Sequence, residues 1–556
     1  MAFTELLEEA GGLGLYQILQ MISLLIPIVL VTTHNLVENF SGAIPAHHCR
    51  VPGLEAHSDP AGIPGNLTPE ALLTVSIPLG PDQEPEKCRR FLHPQWQLLS
   101  PNASAANASR PDTEPCPDGW TYDRTVFSST IVAEWDLVCD FQALKPLSQS
   151  IYMGGTLLGA AVFGHVSDRF GRRLVLSWCY LLMALCSTCA AFAPNFTLYC
   201  ALRFLSAFAV ASIMMNTSSL LMEWATKETR ATVMTVNALS FSFGLVFLGG
   251  VAYAIRAWRL LQLILSIPFF VFFMYSWFLA ESARWLVITG RTERGLRALR
   301  RVAHINGQTE PAARLTQQTL NAAMQEELAM AKCQHTVLDL FRTPNLRRRV
   351  CYMILVWFSF GFTYYGLALD LQSLGGDIFL LQVLYGTVDF PAKFIALLAM
   401  NRVGRRPTQI ACFFLAGLSV LANAFVSQEM QALRLSLAIL GIGSLGAAFS
   451  CLCVFSSELY PTVLRMTAFS LNQIMARLGS LLGPLMRMTS QFFPALPLVT
   501  YGTVPIITSL GVLFLPETKN LPLPDTIQDV ESGGRREEGA GGVDKREKTA
   551  WKTTRF

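Results

Sequence analysis

Charged side chains are scarce in this chain. Of its 556 residues only 15% are Asp, Glu, Lys or Arg, against roughly 25% in soluble domains. So few charges are not enough to coat several water-soluble domains, and the same composition excludes a disordered chain or a small disulfide-rich scaffold. The net charge of +4 gives no reason to expect a nucleic-acid partner.

Sequence motifs for nucleotide binding and for hydrolysis are also missing. The chain contains no Walker loop, no H-E-x-x-H and no G-x-S-x-G segment. An ATP-driven pump and a hydrolase therefore lack support. We expect no enzyme activity, no cofactor and no metal site.

Long hydrophobic runs are abundant instead. Hydrophobic residues make up 52% of the chain, 36 of them Phe, and the mean hydropathy is +0.39. A helix that spans a bilayer requires about 20 mostly apolar residues. The sequence predicts twelve such spans, at 16–37, 146–166, 174–193, 198–222, 232–254, 260–280, 350–371, 378–400, 408–427, 432–456, 467–488 and 497–515. We therefore expect an all-α membrane protein embedded in the lipid bilayer.

The uneven gaps between spans predict two six-helix halves. Long polar segments follow the first and the sixth span. The expected divisions are a cytoplasmic N-terminus 1–15, a first half 16–280 with an extracellular loop 41–140, a cytoplasmic loop 281–349, a second half 350–515 and a cytoplasmic tail 516–556.

The placement of Lys and Arg predicts this orientation. The 281–349 segment contains twelve of these residues and the tail eight, whereas the 41–140 segment has six against thirteen acidic residues. Cytoplasmic loops of membrane proteins are enriched in Lys and Arg. The basic cluster Arg169, Arg172 and Arg173, in the short loop after span two, indicates the same side of the membrane.

The extracellular loop has the chemistry of an oxidising compartment. It contains Cys49, Cys88, Cys116 and Cys139, an even number that predicts two disulfides but leaves three pairings open. Sequons at Asn66, Asn102 and Asn107 fall in the same loop and predict glycosylation.

The two halves repeat each other in sequence. Segment 164–173 (G-H-V-S-D-R-F-G-R-R) follows span two, and the shorter 401–407 (N-R-V-G-R-R-P) follows span eight. Repeated halves are typical of secondary transporters. Glu223 with Arg230 and Glu281 with Arg284 are matched in the second half by Glu458 with Arg465 and Glu517 with Lys519. The residues that we expect to act in conformational gating are Asp168, Arg169, Gly171, Arg172, Arg173, Glu223, Glu458 and Arg465.

These segments also carry a resemblance to a known family. The G-x-x-x-D-R-x-G-R-R loop is similar to the hallmark of the major facilitator superfamily, and E-S-A-R-W-L at 281–286 with the Cys-bearing outer loop resembles the organic anion branch of the organic ion transporters. Segments 360–363, 366–372 and 388–393 are most similar to the urate–anion exchangers of that branch. Its exchangers of sulfated steroids and dicarboxylates are similar as well. The resemblance implies a major facilitator fold that works by alternating access.

Two basic residues inside spans are the first candidates for substrate binding. Charges within a membrane are costly and are functional candidates by default, which selects Lys393 in span eight and Arg477 in span eleven. Asp389 lies one helical turn before Lys393, a spacing that also allows a purely structural ion pair. Because Lys393 neutralises Asp389 while Arg477 adds a positive charge, the sequence favours an anion over an organic cation as substrate.

Aromatic residues complete the predicted site. Flat rings suit a flat heteroaromatic anion, and Phe360 and Tyr364 share one face of span seven. Most of the 36 Phe must face lipid or neighbouring helices, so the resemblance supplies the choice. It implies Phe241, Phe360, Tyr365 and Phe449 as ring contacts and Asn35, Tyr152, Met214 and Asn237 as their neighbours.

Three positions depart from the pattern of the urate exchangers. Leu245 stands where a polar residue follows the glycine, and Asn35 and Tyr365 replace Ser and Phe. Loss of a polar partner weakens recognition of a polar ligand. These departures leave anion transport intact and make urate affinity a question for experiment.

The resemblance and the C-terminus complete the expected function. The resemblance implies exchange of urate against monocarboxylates such as lactate or nicotinate, at the apical plasma membrane of kidney epithelium. Transport of sulfated steroids and dicarboxylates, an organic cation carrier and a non-transporting sensor are the alternatives.

Thr554, Arg555 and Phe556 match the Ser/Thr-x-hydrophobic end that PDZ domains bind as an added strand, so we expect a PDZ scaffold as partner.

Overall fold

The computed structural model describes residues 6–8, 11–12, 14–51, 68–80, 84–99, 112–226, 229–308, 316–325, 336–427, 429–461, 463–519, 521, 524 and 527–531. The predicted sequons at Asn66, Asn102 and Asn107 and the C-terminal Thr554, Arg555 and Phe556 lie outside these residues.

Helices occupy the position of every predicted span. They are α1 Leu15–Leu36, α2 Leu144–Phe170, α3 Arg172–Ala190, α4 Phe196–Glu223, α5 Arg230–Ala254, α6 Trp258–Ser266 continued by Pro268–Ser276, α7 Pro344–Ala368, α8 Ile378–Arg402, α9 Arg405–Phe425, α10 Gln431–Leu459, α11 Arg465–Met486 and α12 Leu496–Val512. The interruption of α6 falls where Pro268 lacks the amide hydrogen that would continue the helix. The all-α prediction is confirmed, and most helices begin a few residues before the predicted span.

Shorter elements connect these helices. The short helices are Glu38–Ser41, Pro69–Ser76, Ile131–Glu134, Ala283–Ile288, Thr292–Ile305, Gln317–Ala323 and Asp339–Arg342, with 3-10 turns at Trp96–Leu99, Cys139–Phe141, Leu371–Leu374 and Arg487–Gln491.

Nine helices of the described chain are long and apolar enough to cross a membrane by length and composition, which is fewer than the twelve predicted spans. The exceptions are α2, α11 and α12, of which α12 is apolar but has only 17 residues. Helices α2 and α11 pack against each other between the two halves. The side chains at this contact face protein rather than lipid, so polar residues are tolerated there.

The halves meet along two helix pairs, α2 with α11 and α5 with α8. Within the second half, α7 and α11 approach so closely that a Cβ added at Gly361 would lie 1.9 Å from the Ala476 carbonyl oxygen. Within the first half, a Cβ at Gly155 of α2 would lie 2.4 Å from the Phe204 carbonyl oxygen of α4. Small residues allow this close backbone packing, which fixes α11 and α2 relative to their neighbours.

The loop between α1 and α2 is a small cross-linked unit. Strand β1 His47–Cys49 pairs antiparallel with β4 Trp120–Tyr122, and β2 Arg89–Phe91 pairs with β3 Thr113–Pro115. Disulfides join Cys49 to Cys116 and Cys88 to Cys139. The prediction of two disulfides is confirmed, and the structure selects one of the three pairings.

Candidate substrate site

Arg477 lies near the middle of α11 as a partly exposed cation. Within the described residues its guanidinium has no ion pair, and its electrostatic neighbours are the phenols of Tyr365 in α7 and Tyr152 in α2. The backbone contact between Gly361 and Ala476 fixes this turn of α11 against α7. An unpaired guanidinium at this depth is available to a carboxylate or another planar anion.

Lys393 is engaged by protein groups on two helices. Its Nζ lies 2.7 Å from Asp389 Oδ2 one turn earlier in α8, and it donates to Ser242 Oγ at 2.7 Å and to the Ala238 carbonyl at 2.9 Å, both in α5. Ser242 also donates to Asp389. Gly446 of α10 leaves room for this carboxylate, because a Cβ there would lie 2.1 Å from Asp389 Oδ1. The pair is electrically neutral and joins the two halves.

The predicted aromatic residues of the second half form a continuous cluster. Phe360 stacks on Phe449 of α10 with ring centroids 5.1 Å apart and on Tyr364 at 5.5 Å. Tyr364 meets Tyr365 edge to face at 5.3 Å, which links the cluster to Arg477. Across the halves, the ring centroid of Phe241 in α5 lies 5.8 Å from Lys393 Nζ.

The predicted neighbours in the first half are only partly brought together. Tyr152 donates a hydrogen bond to Asn35 Oδ1 at 3.1 Å, joining α2 to α1. Asn237 donates to Ser218 Oγ at 3.4 Å, and Met214 packs against the hydrophobic core. Tyr152 and Asn35 are therefore brought together, whereas Asn237 and Met214 contact other parts of the first half.

Three buried charged residues were missed by the sequence reasoning: Arg203, Glu38 and Lys145, of which Lys145 is 8% exposed near the start of α2. Arg203 in α4 and Glu38 just after α1 are each only 2% exposed, and their side chains lie 4.0 Å apart. Arg203 falls within the predicted span 198–222, so the criterion that selected Lys393 and Arg477 also selects it. Glu38 lies one residue beyond the first predicted span and gave no such signal.

Polar contacts close the halves against each other at the end of the bundle that contains the disulfides. Asn39 donates to the Ala368 carbonyl at 2.7 Å and Gln149 to the Leu369 carbonyl at 3.1 Å. The Gln372 amide exchanges two hydrogen bonds with the backbone of Ile44, at 2.6 and 2.8 Å. An opening at this end requires that these contacts break.

A separate cavity of about 220 Å³ lies within the second half. Its polar lining includes the Asp370–Arg487 ion pair and Asn423, and none of the predicted substrate residues lines it. Within the described residues, no group of three or more His, Cys, Asp or Glu side chains is placed to hold a metal ion.

The opposite end of the bundle, which contains the α2–α3 and α8–α9 loops, has matching ion pairs in the two halves. In the first half, Arg172 pairs with Asp168 at 2.9 Å and with Glu223 at 3.4 Å. In the second half, Arg405 pairs with Glu458 at 3.0 Å. The sequence repeat thus corresponds to a repeat in structure, although it did not single out Arg405.

Two further carboxylates match in the same way. Glu281 accepts hydrogen bonds from the backbone amides of Arg172 and Arg173, at the start of α3. Glu517 does the same for Arg405 and Arg406, at the start of α9. A carboxylate at a helix N-terminus satisfies otherwise unpaired amides, while burial raises the pKa of Glu281.

The remaining predicted gating residues lie at this end too. Gly171 has a φ of +103°, which favours glycine at the α2–α3 turn. Arg173 donates to the Trp277 carbonyl, and Arg465 donates to the Tyr460 carbonyl at 3.4 Å. Arg169 lies 5.7 Å from the ring centroid of Phe170.

Solved structures with the same fold are transporters. The inward-open xylose transporter XylE from E. coli matches with a TM-score of 0.58 and 19% identity, covering 73% of this chain and 92% of that chain. The proton:xylose symporter XylE bound to 6-bromo-6-deoxy-D-glucose matches with a TM-score of 0.54 and 19% identity, covering 71% and 90%. At this identity the likeness shows the major facilitator fold alone.

Sequence relatives are much closer. The family model described as Sugar (and other) transporter matches residues 140–525. Solute carrier family 22 member 12 of Homo sapiens is 57% identical over 532 residues, covering 96% of both chains, and member 11 of Homo sapiens is 51% identical over 533 residues with the same coverage. Member 6 of Rattus norvegicus is 45% identical over 535 residues, covering 96% of this chain and 95% of the relative. The chain therefore belongs to solute carrier family 22 of the major facilitator superfamily, in the organic anion branch of the organic ion transporters.

Proposed function

We propose that this protein is a secondary-active exchanger of organic anions that carries urate in one direction and a monocarboxylate in the other, without a catalysed reaction. The observation that carries the proposal is the charge balance at the middle of the bundle. Lys393 and Asp389 neutralise each other, whereas Arg477 has no acidic partner within the described residues. The net positive charge favours an anion, and a cation carrier would require the opposite balance.

Arg477 holds the anion, and the rings enclose it. The fork of guanidinium donors fits a carboxylate or the planar edge of urate. Phe360, Phe449 and Tyr365 offer ring faces and edges to the substrate. Tyr364 joins Phe360 to Tyr365, the neighbour of Arg477, and Phe241 offers its ring beside Lys393. Tyr152, Asn35, Asn237 and Met214 border the substrate from the first half, and the neutral Lys393–Asp389 pair borders the site where the halves meet.

Transport proceeds by rocking of the halves 16–280 and 350–515 around this site. The disulfide end, with loop 41–140 glycosylated at Asn66, Asn102 and Asn107, faces outside, and the termini, the 281–349 loop and the 516–556 tail face the cytoplasm. The contacts of Asn39, Gln149 and Gln372 close the outer side. The gating residues at the opposite end keep the cytoplasmic helix ends of each half together while the halves move.

Urate with lactate or nicotinate is the proposed substrate pair, because the most similar segments resemble the urate–anion exchangers. The second candidate is transport of sulfated steroids and dicarboxylates with little urate activity. It is favoured by Leu245, which stands where the urate exchangers have a polar residue. A competition panel of urate, a sulfated steroid and a dicarboxylate against labelled nicotinate separates the two. Stronger inhibition by the steroid than by urate would transfer the assignment to the second candidate.

The charge argument has its own direct test. Cells that express the protein should take up labelled nicotinate in a saturable way and should not take up a quaternary ammonium dye above the level of untransfected cells. Uptake of the dye without uptake of the anion would contradict the proposal.

The proposed location is the apical plasma membrane of kidney epithelium, where Thr554, Arg555 and Phe556 bind a PDZ scaffold. A variant that lacks these three residues should reach the membrane but lose its apical enrichment in polarised cells. Unchanged apical enrichment would remove the PDZ proposal and leave the transport proposal in place.

A further inference from the structure

Arg203 occupies an unusual environment for a cation. It is 2% exposed, and its Nη2 donates to the His34 carbonyl at 3.1 Å and lies 4.0 Å from Glu38 Oε2. Its Nε and Nη1 have no hydrogen-bond partner among the described residues. Glu38 is shared with Ser148, which donates to its carboxylate. Burying a guanidinium with such incomplete pairing is destabilising, so stability alone does not account for it.

The contacts of Arg203 converge on the first-half side of the substrate site. Its Cζ lies 4.1 Å from the ring centroid of Tyr152, the distance of a close cation–π contact. The carbonyl that it binds belongs to His34, the residue before Asn35. Tyr152 and Asn35 in turn form a hydrogen bond at 3.1 Å, and Tyr152 interacts electrostatically with Arg477. One guanidinium therefore holds both partners of the Tyr152–Asn35 contact.

We infer that Arg203 is a positioning residue for anion binding, acting through Tyr152 and Asn35 rather than by touching the substrate. The inference rests on the proposed function and adds to it a residue outside the predicted site. By packing against the ring of Tyr152, Arg203 holds the phenol in its hydrogen bond with Asn35. Its loss lowers the affinity for the anion more than the maximal rate of exchange.

The competing explanation is that Arg203 merely compensates the buried charge of Glu38. The charge-neutral pair Arg203→Met with Glu38→Gln separates the two roles, because it removes one positive and one negative charge together and keeps a hydrogen-bonding side chain for Ser148. Arg203→Lys is the second variant. It retains the positive charge near Glu38, but a single ammonium does not stack on Tyr152 and reach the His34 carbonyl together.

The experiment measures self-exchange of labelled nicotinate by reconstituted protein, with KM and maximal rate normalised to the amount of protein. We expect both variants to raise KM ~10-fold, in the range of a desolvated cation–π contact, with at most a twofold change in maximal rate. In a Tyr152→Leu background the neutral pair should add less than a twofold rise, since the ring through which Arg203 acts is gone. The matched control is Arg256→Met, which removes a guanidinium 5.3 Å from the ring of Tyr253 near the surface and should leave KM unchanged.

Each outcome is decisive. A wild-type KM in either Arg203 variant overturns the positioning role, as does an equally large rise in the Tyr152→Leu background. If the neutral pair does not accumulate, the KM of Arg203→Lys decides alone. Wild-type protein with no saturable anion exchange overturns the proposed function and this inference with it, whereas normal wild-type exchange with unchanged variants overturns only the inference.

Discussion

Lys393 in α8 donates a hydrogen bond from Nζ to Ser242 Oγ in α5 at 2.7 Å, which joins the two halves of the protein. The same ammonium pairs with Asp389 at 2.7 Å. Its charge is therefore balanced inside the protein before any substrate binds. Arg477 is left as the cation of the site that a substrate anion can pair with, and the two basic residues that the sequence singled out have different tasks.

The Lys393–Asp389 pair should behave as a unit. Lys393→Gln leaves Asp389 uncompensated beside an anion site, and removing one partner of a buried pair is destabilising by about 3–5 kcal/mol. Because each side chain is 11% exposed, we expect the lower part of this range. Thermal unfolding of purified protein should show a lower midpoint for Lys393→Gln than for the double variant Lys393→Gln with Asp389→Asn.

The double variant is the control for the loss of the pair itself. Its KM for nicotinate should lie closer to the wild-type value than that of Lys393→Gln, since no lone carboxylate repels the anion. A double variant that is as impaired as the single variant would indicate that Lys393 contacts the substrate directly.

Arg477→Ala should reduce anion uptake strongly at normal surface expression. A hydrogen bond to a charged group contributes about 1.5–3 kcal/mol, which corresponds to a roughly 10- to 150-fold fall in uptake at low substrate concentration. Arg477→Lys should retain part of the activity, because it keeps the charge and loses the fork. Uptake of labelled nicotinate and surface biotinylation measure the two quantities. Arg347→Ala, at an exposed arginine near the start of α7, serves as control, and normal uptake by Arg477→Ala would exclude its role.

The stacked rings should discriminate between aromatic and aliphatic anions. Phe360 and Phe449 stack at 5.1 Å, and an aromatic contact contributes about 0.5–1.5 kcal/mol beyond the area it buries. Phe449→Ala should therefore raise the inhibition constant of nicotinate roughly 2- to 10-fold and that of lactate less. Phe243→Ala is the control, because Phe243 of α5 is 53% exposed and is not among the predicted substrate residues. Equal effects on both anions would indicate that Phe449 acts on the shape of the protein and not on the ring of the substrate.

The disulfide pairing has a direct chemical test. The double variant Cys49→Ser with Cys116→Ser should retain the Cys88–Cys139 link, as shown by mass spectrometry of proteolytic fragments without reduction. Loss of one link should lower the free energy of unfolding of the loop by about 2–4 kcal/mol. A double variant that removes both cysteines of one disulfide should be no less stable than either of its single variants. The variant Cys49→Ser with Cys88→Ser, which breaks both disulfides, should be less stable than either of these double variants. Fragments that join Cys49 to Cys88 in the wild type would contradict the pairing.

Much of the fold could be predicted from the sequence because hydrophobic length sets the helices. Every span in the prediction corresponds to a helix, since a bilayer demands about 20 apolar residues. Three of these helices, α2, α11 and α12, are too polar or too short to cross a membrane by length and composition. Of these, α2 and α11 pack on each other between the halves. The disulfide pairing depends on how the loop folds, which the spacing of Cys49, Cys88 and Cys116 does not determine.

The candidate site could also be predicted only in part from the sequence. Arg477 and Lys393 stand out as charges within apolar helices, and the ion pair of Lys393 with Asp389 follows from their spacing. The role of Ser242 depends on contact between α5 and α8, which a single sequence does not reveal. Arg203 met the criterion of a charge within a span, yet its connection to the site passes through Tyr152, a residue of another helix.

An obligatory exchanger takes up an anion faster when a second anion waits on the other side of the membrane, and trans-stimulation measures this acceleration. Proteoliposomes or cells preloaded with unlabelled nicotinate or lactate should take up labelled urate severalfold faster than unloaded ones, and Arg477→Ala should abolish the difference. A non-transporting sensor would give no flux in either condition. Urate uptake at the same rate with and without internal anion would contradict exchange, and a complete absence of urate flux with active exchange of sulfated steroids would reassign the substrate.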